Sequence, residues 1–565
     1  MTMALAKKTS NLIWAIKFLW NSRRWIIKDL GGYFGFLRTT YTESRLKGYR
    51  GAGGWLISRC AYLRRNDPEL YKHWVDHEAS VPFPSSHTMT VILAANNSIE
   101  FADYIDELVK SQYVEEVIVL GSELMAACKS DRALNARELV SMLTRNVKTD
   151  YVLALASPAS INWELMGYVH ELLESADAVI WDHDFLENGV RHSPAFKGAF
   201  SREMLLDPNT LPAWATRTSH LSSIALLEGC ESLYELGLKV LGGASNVSRL
   251  PKVLTHHFAP ADPWRSTINI AQNFFGSDTN LTKEQSIEPD LYIAPNDACR
   301  VSIIIPTRDR LDLLKNCIDS IQEHQYEIEY EIVVVDNGST DPEFISWLDR
   351  AEQAGEVVGI KCDIPFNWSE LNNNAVEVSS GNVLIFLNND IEILDPEWLF
   401  KLSAVVLEDG VGAVGPLLLY PDGLIQHAGI VLGFGGYADH IYLGNDVPSA
   451  GECGFFTHPL CRRQVIAVTG ACLAIAKSEF IQIGGFNEAL TVAGDLELCL
   501  RLEASGLRNV FLPSARMIHL ESASRSRGLP EGDKLVLKGL LPGIDHHYNP
   551  NLSMRSLTPI PLVST

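Results

Sequence analysis

The sequence predicts an α/β protein made of two similar strand–helix regions in tandem, the first degenerate, behind a basic N-terminal helical arm. Three observations predict it. Short aliphatic and β-branched runs of strand length alternate with segments of helical spacing. The sharpest of these runs end in polar turns. The pattern of residues 88–270 also recurs, more clearly, in residues 298–527.

Residues 1–87 read as an arm followed by a helical or irregular connector. Leu12, Ile13, Trp14, Ile16, Phe18, Leu19, Trp20, Trp25, Ile26 and Ile27 are interleaved with Lys17, Arg23, Arg24 and Lys28. That mixture suits a helix lying on an anionic membrane surface through residues 1–30, and equally a helix docked on the protein's own body. Gly31-Gly32 ends it, and Pro82-Phe83-Pro84 closes the connector.

In the first region, Thr90–Ala95, Val117–Leu120 and Tyr151–Ala156 read as strands and Phe101–Lys110 as a helix. Residues 271–297 are polar and read as a linker. In the second region Val301–Ile305 is a buried-type strand stopped by Pro306. A helix follows with Leu311, Leu314, Ile318 and Ile321 on one face. Glu331–Val335 and Val383–Leu387 are further strands, ending in Asp336-Asn337-Gly338-Ser339 and Asn388-Asn389-Asp390. Strands alternating with helices imply a parallel sheet covered on both faces, with ligands outside the carboxyl ends of its strands. Thr307, Asp336 and Asp390 fall at that edge. Residues 528–565 form a C-terminal extension.

The two regions align. Val152–Leu155 lies over Leu384–Leu387, which sets Ala156-Ser157-Pro158 over Asn388-Asn389-Asp390. Leu120-Gly121 falls in the place of Asp336-Asn337.

Composition narrows the function. A chain of 565 residues exceeds one core at roughly 150 residues per domain. Residues 1–65 carry thirteen Lys/Arg against Asp29 and Glu43, so with a net charge of −22 the other 500 residues carry about −33. So acidic a body argues against nucleic acid as a partner. Ten cysteines stand singly, without CxxC or zinc spacing, as expected of reduced thiols in a cytosolic protein. No apolar run reaches the ~18 residues of a spanning helix, and Leu12–Trp20 lacks a signal peptide's cleavage site. No GxGxxG follows a strand to open a helix, which disfavours a dinucleotide-dependent oxidoreductase.

Several residues carry chemistry, each with an ordinary explanation beside it. Asp336 suits a nucleobase or ribose hydrogen bond, and equally an Asx turn. Asp390 suits a hard divalent cation bridging a diphosphate, and equally a polar turn. Asp495 suits a general base, and equally the N-cap of the apolar helix Leu496–Leu502. His519, after Arg516–Ile518, is followed by the polar cluster Glu521, Ser522, Ser524 and Arg525. Their ordered combination is far more specific than any member.

Residues 298–527, about 40% of the chain, resemble the family 2 glycosyltransferases of GT-A fold. They resemble most the bacterial rhamnosyltransferase-type enzymes of O-antigen and cell-surface polysaccharide synthesis. VSIIIPTRDRLDLLKNCIDSI, EIVVVDNGST, FNWSELNNNAVEVSSGNVLIFLNNDIEIL, YPDGLIQHAGIVLG, VTGACLAI and GDLELCLRL…HLESASR carry the resemblance, and the tail HHYNPNLS fits it. WDHDFLENGVRHSPAFK in the first region resembles the degenerate N-terminal copy of tandem members.

The resemblance implies two tandem GT-A-like domains and a role for each residue. Thr307 and Asp336 hold the nucleoside. Asn373, Asn389, Gly470 and Ala471 contact the nucleotide-sugar, Asn373 near its diphosphate. Asp390 matches the last acidic residue of an Asp-x-Asp metal motif. His519 ligates the metal, Mn²⁺ or Mg²⁺, or contacts the diphosphate. Asp495 matches the catalytic base. Asn388 stands where the motif's first acid is usual, and Glu497 where Asp is usual.

The implied enzyme is an inverting transferase, cytoplasmic or peripheral on the inner face of the cell membrane. It passes a sugar, rhamnose by resemblance, from a nucleotide-diphosphate donor to a glycan or lipid-linked glycan. A non-catalytic glycan-binding or scaffold protein, and a bifunctional transferase with both copies active, are the alternatives.

Overall fold

The computed structural model describes residues 67–78, 81–94, 99–120, 133–136, 147–206, 211–223, 233–258, 299–434, 437–448, 459–520, 529–541 and 545–562, with Ala61 and Arg64. The basic arm of residues 1–30, the 271–297 linker and the Glu521–Arg525 cluster lie outside the described residues. Among the described residues no helix is long and apolar enough to cross a membrane.

The first sheet is built from β1 (Met89–Ala94), β2 (Val114–Leu120), β3 (Ala133–Ala136), β4 (Tyr151–Leu155), β5 (Ala159–Ile161), β6 (Ala178–Glu187), β7 (Val190–Ala195), β8 (Ala213–Arg217) and β9 (Val247–His257). The second comprises β10 (Arg300–Thr307), β11 (Glu329–Asp336), β12 (Val358–Lys361), β13 (Val383–Leu387), β14 (Ile391–Ile393), β15 (Val411–Leu419) and β16 (Ile425–His427). After a separate two-stranded ribbon, β17 (Ile430–Leu432) with β18 (Ala438–His440), it is completed by β19 (Arg463–Val465), β20 (Cys472–Ala476) and β21 (Arg508–His519).

The strand orders correspond. The first runs β3-β2-β1-β4-β8-β6-β9-β5, and the second β12-β11-β10-β13-β20-β15-β21-β14. The sense of each matched pair agrees as well: β1 is parallel to β2 and β4 as β10 is to β11 and β13, while β4–β8 and β13–β20 are antiparallel. Each sheet is therefore mixed, and the wholly parallel sheet expected from the alternation holds only for its first four strands. A polar lock recurs at the same register. Thr90 donates to Glu116 at 2.9 Å in one sheet and Ser302 to Glu331 at 2.6 Å in the other.

These ladders fix the correspondence. Thr90 pairs with Glu116 and Val152, as Ser302 pairs with Glu331 and Leu384. Pro158 thus takes the place of Asp390. His257, opposite Ala159, takes that of His519, opposite Ile391. The same ladders correct the expected alignment of the second strands. Leu120, paired with Ala94, matches Val335, paired with Pro306, so Gly121 rather than Leu120 stands for Asp336.

Pro306 does not stop its strand, which continues to Thr307. The ladder from β10 to β13 ends at Ile304, so at the proline the strand is paired on one side only. The predicted apolar face of helix Leu311–Gln322 is buried as expected. Cys299, Cys317, Cys472 and Cys499 are buried free thiols.

The halves share one core. Tyr71, Trp74, Phe196 and Val253 pack in the same apolar cluster as Phe511 and the tail residues Tyr548, Leu552, Leu557 and Ile560. The tail straps both sides. Asn549 donates to Asp182 at 2.8 Å and to the Lys197 carbonyl at 2.8 Å, while Asp545 accepts from Leu432 N–H and Leu557 O from Tyr442 N–H. Buried Glu203 pairs across the junction with Arg508.

Candidate active site

The site grows from strand ends. β13 (VLIFL) is buried along its whole length, so the chain can turn polar only where the sheet stops. There Asn389 donates to Thr307 Oγ1 at 2.8 Å. The Thr307 carbonyl accepts from Asn337 N–H at 2.9 Å, tying the ends of β10 and β11. Asp336 is buried, and one of its oxygens accepts from Ser339 N–H at 2.8 Å, so the Asx turn is present. Asp309, at φ +52°, accepts from Thr340 and Asp341 N–H. Those bonds, that of Asp341 first, hold its carboxyl below the usual range.

On the other side of β13, Asn388 N–H donates to the Ala471 carbonyl at 2.9 Å. Next along, Gly470 N–H donates to Asp495 Oδ2 at 2.7 Å. A Cβ on Gly470 would lie 2.7 Å from the Trp368 ring and 3.2 Å from Asp495 Cβ, so only glycine fits. Asp495 lies inside the first turn of helix Gly494–Ala504 rather than capping it. The N-cap is Ala493, and Asp495 Oδ1 accepts from Leu496 N–H at 2.8 Å. The N-cap reading is thereby corrected: from inside the first turn the carboxylate joins one helix-terminal amide, that of Leu496, to the 469–471 segment.

Asp390 Oδ1 and His519 Nε2 stand 3.1 Å apart, both residues largely buried. Asn388 Nδ2 is 3.3 Å from the same nitrogen. Among the described residues no three His, Cys, Asp or Glu gather to hold a metal. Asp390 and His519 offer two ligands, which fits a hard cation that takes its remaining ligands from phosphate and water. Asn373 is engaged elsewhere. Its amide donates to Phe486 O and Glu488 Oε1 and accepts from Phe486 N–H. Thr307, Asp336, Asn389, Asp390, His519, Gly470, Ala471 and Asp495 are thus linked by short contacts and backbone continuity, and Asn373 is outside that chain.

Residues 302–429 match the family described as glycosyl transferase family 2. Over this segment the chain is similar to the family 2 glycosyltransferases. The chain is 43% identical over 228 residues to the uncharacterized protein y4gI of Sinorhizobium fredii, covering 40% of this chain and 25% of that one. It is 37% identical over 286 residues to the O-antigen biosynthesis protein RfbC of Myxococcus xanthus, covering 49% and 22%. The chain thus spans about a quarter of the length of these curated relatives. The solved structure of GalNAc-T7 with UDP, GalNAc and Mn²⁺ is 16% identical, covering 42% of this chain and 44% of that one, with a TM-score of 0.34.

Two residues around the candidate site escaped sequence reasoning. Gln426, inside YPDGLIQHAGIVLG, bonds His519 through both ends of its amide. Asp533 accepts from Thr491, Val492 and Ala493 N–H at 3.0, 2.9 and 3.0 Å, clamping the approach to the Asp495 helix. The motif string was the signal for the first. The second had none.

Proposed function

We propose that residues 298–527 catalyse transfer of a sugar, with inversion, from a nucleotide-diphosphate donor to a polysaccharide or glycolipid acceptor. The observation that carries this is the unbroken run of contacts from Asp336 through Thr307, Asn389 and Asp390 to His519, and from Asn388 through Ala471 and Gly470 to Asp495. It gathers at one sheet edge the groups needed to bind a nucleoside, neutralise a diphosphate and accept a proton.

Asp336 and Thr307 receive the nucleoside. Asp390 and His519 hold a divalent cation, Mn²⁺ or Mg²⁺. When bound, that ion supplies the positive charge that stabilises the leaving diphosphate. Asp495 takes the proton of the acceptor hydroxyl as its oxygen attacks. One base and direct displacement give inversion, with no covalent nucleophile. Rhamnose as the sugar rests on resemblance, and similarity to an O-antigen biosynthesis protein supports a polysaccharide setting. Residues 1–30 are proposed to lie on an anionic membrane surface.

The first half is proposed to orient the second or to hold a long acceptor. The side chain of Pro158 offers no ligand atom in place of the Asp390 carboxylate. His257, its counterpart of His519, is buried with Nδ1 bonded to Ser157 and Nε2 to Thr255, and burial pushes it down to about 3. A panel of nucleotide-sugars tests the assignment through nucleoside diphosphate release. One donor should be turned over in a Mn²⁺- or Mg²⁺-dependent way, and Asp390→Ala should nearly abolish it. Full activity in excess chelator would remove the metal role, and no turnover of any donor would favour a scaffold.

A further inference from the structure

We propose that Gln426 is a positioning residue that holds His519 as its Nδ1–H tautomer, turning the Nε2 lone pair, beside Asp390, into a cation ligand. This rests on the reading of Asp390 and His519 as a cation-binding pair.

The hydrogen bonds leave little freedom. Gln426 Nε2 donates to the His519 carbonyl at 3.2 Å. The nitrogen end of an amide only donates and the oxygen end only accepts, so this bond sets which way the amide faces. Gln426 Oε1 is then the atom that meets His519 Nδ1, at 2.6 Å, and Nδ1 carries the hydrogen. In a neutral ring Nε2 is left as an acceptor. Asn388 Nδ2, a donor 3.3 Å away, agrees with that assignment. Asp390 Oδ1, at 3.1 Å, is a second acceptor facing the first. In the neutral ring Nε2 and Asp390 would be the two protein ligands of a cation bound between them.

Backbone geometry explains why Gln426 can do this. Leu418 pairs with His427, but Leu419 pairs with Ile425, so the β15–β16 ladder slips by one residue at Gln426. A bulge re-aims the side chain at the slip. On its other edge β15 pairs with β21, Leu419 opposite Ile518, one residue before His519. Buried Gln426 therefore reaches past the end of β15 to the last residue of β21. Metal-binding histidines are commonly oriented by a partner on the second ring nitrogen, and losing it weakens metal binding roughly 10–100-fold.

The test titrates Mn²⁺ alone into the full chain, following the free-ion EPR signal. Wild type, Asp390→Ala, Gln426→Met and Gln426→Glu are compared. Methionine keeps the length without an acceptor, and glutamate keeps an acceptor for Nδ1–H. Asp390→Ala should eliminate the site. Gln426→Met should weaken it roughly 10–100-fold, and Gln426→Glu should recover most of that loss. Thermal unfolding of both glutamine variants separates this from misfolding: similar midpoints with different affinities support the tautomer role. Wild-type affinity in Gln426→Met, with Asp390→Ala inactive in binding, would overturn the role of Gln426 alone. Equal weakening by methionine and glutamate would make Gln426 a packing residue and also overturn it. Binding indifferent to Asp390→Ala, or absent in wild type, would overturn the cation reading beneath it.

Discussion

Asp495→Asn separates proton transfer from architecture. The carboxylate accepts from Gly470 N–H at 2.7 Å and Leu496 N–H at 2.8 Å, one on each oxygen. Asparagine has a single accepting oxygen, so its NH₂ must face one of these amides, donor against donor. A buried amide left unpaired costs about 1–3 kcal/mol. Against a native stability of about 5–15 kcal/mol, the variant should melt earlier yet stay folded. The loss in rate is a separate quantity. General base catalysis contributes about 10²–10⁴-fold, which is about 2.7–5.5 kcal/mol of barrier. The assay measures nucleoside diphosphate release at saturating donor and acceptor, with donor affinity read from ligand-induced thermal stabilisation. Turnover should fall by about 100-fold or more with donor affinity little changed. Asp495→Ala should melt lower still, without a proportionate further loss of rate. Near-normal turnover in Asp495→Asn would refute the base assignment and leave the residue as the anchor of the 469–471 segment.

Three further outcomes are expected. In the full chain carrying Asp390→Ala, titration with nucleotide-sugars and Mn²⁺ should find no second donor site, and saturable metal-dependent binding there would make the first half active. Burial pushes the Lys197 ammonium down to about 7 from 10.5, partly opposed by Asp182. The unfolded chain then binds more protons at this group between those values, so its penalty is full below about pH 7 and stability rises through the window. Lys197→Met should flatten that rise in the unfolding midpoint, and an unchanged slope would show that the group does not titrate there. Removing residues 1–30 should release the protein from anionic liposomes, and equal binding with and without them would refute the membrane role.

The strands were legible because VSIII, EIVVV and VLIFL are unbroken apolar runs that only a covered sheet can bury. Their direction was not: VGAVGPLLL and CLAIA are equally apolar, and nothing in them says that β20 runs against β13. Pro306 misled for a related reason. Composition does not reveal that its strand loses a neighbour two residues earlier. Thr307, Asp336, Asn389, Asp390 and His519 could be gathered because each ends a strand or begins the turn after one. Asn373 could not be placed, since helical spacing in Trp368–Val378 gives a face but not its partner. Gln426 depends on a ladder slip, and Asp533 acts about forty residues along the chain from the amides it holds. The first shows only as a place in the YPDGLIQHAGIVLG string, and the second leaves no local pattern.

The strap between Asn549 and Asp182 has a consequence in time. The two residues lie 367 positions apart. At roughly 5–20 residues per second of synthesis, about 20–70 s pass between their emergence. For that interval Asp182 lacks the tail amides that satisfy it when fully buried, and burial without them pushes its carboxyl further from its charged form. The first sheet, though made early, cannot seal its junction face until Asn549 has left the ribosome. A nascent chain of this protein therefore waits with an unfinished surface, and a stop codon placed before Asn549 would make that state permanent.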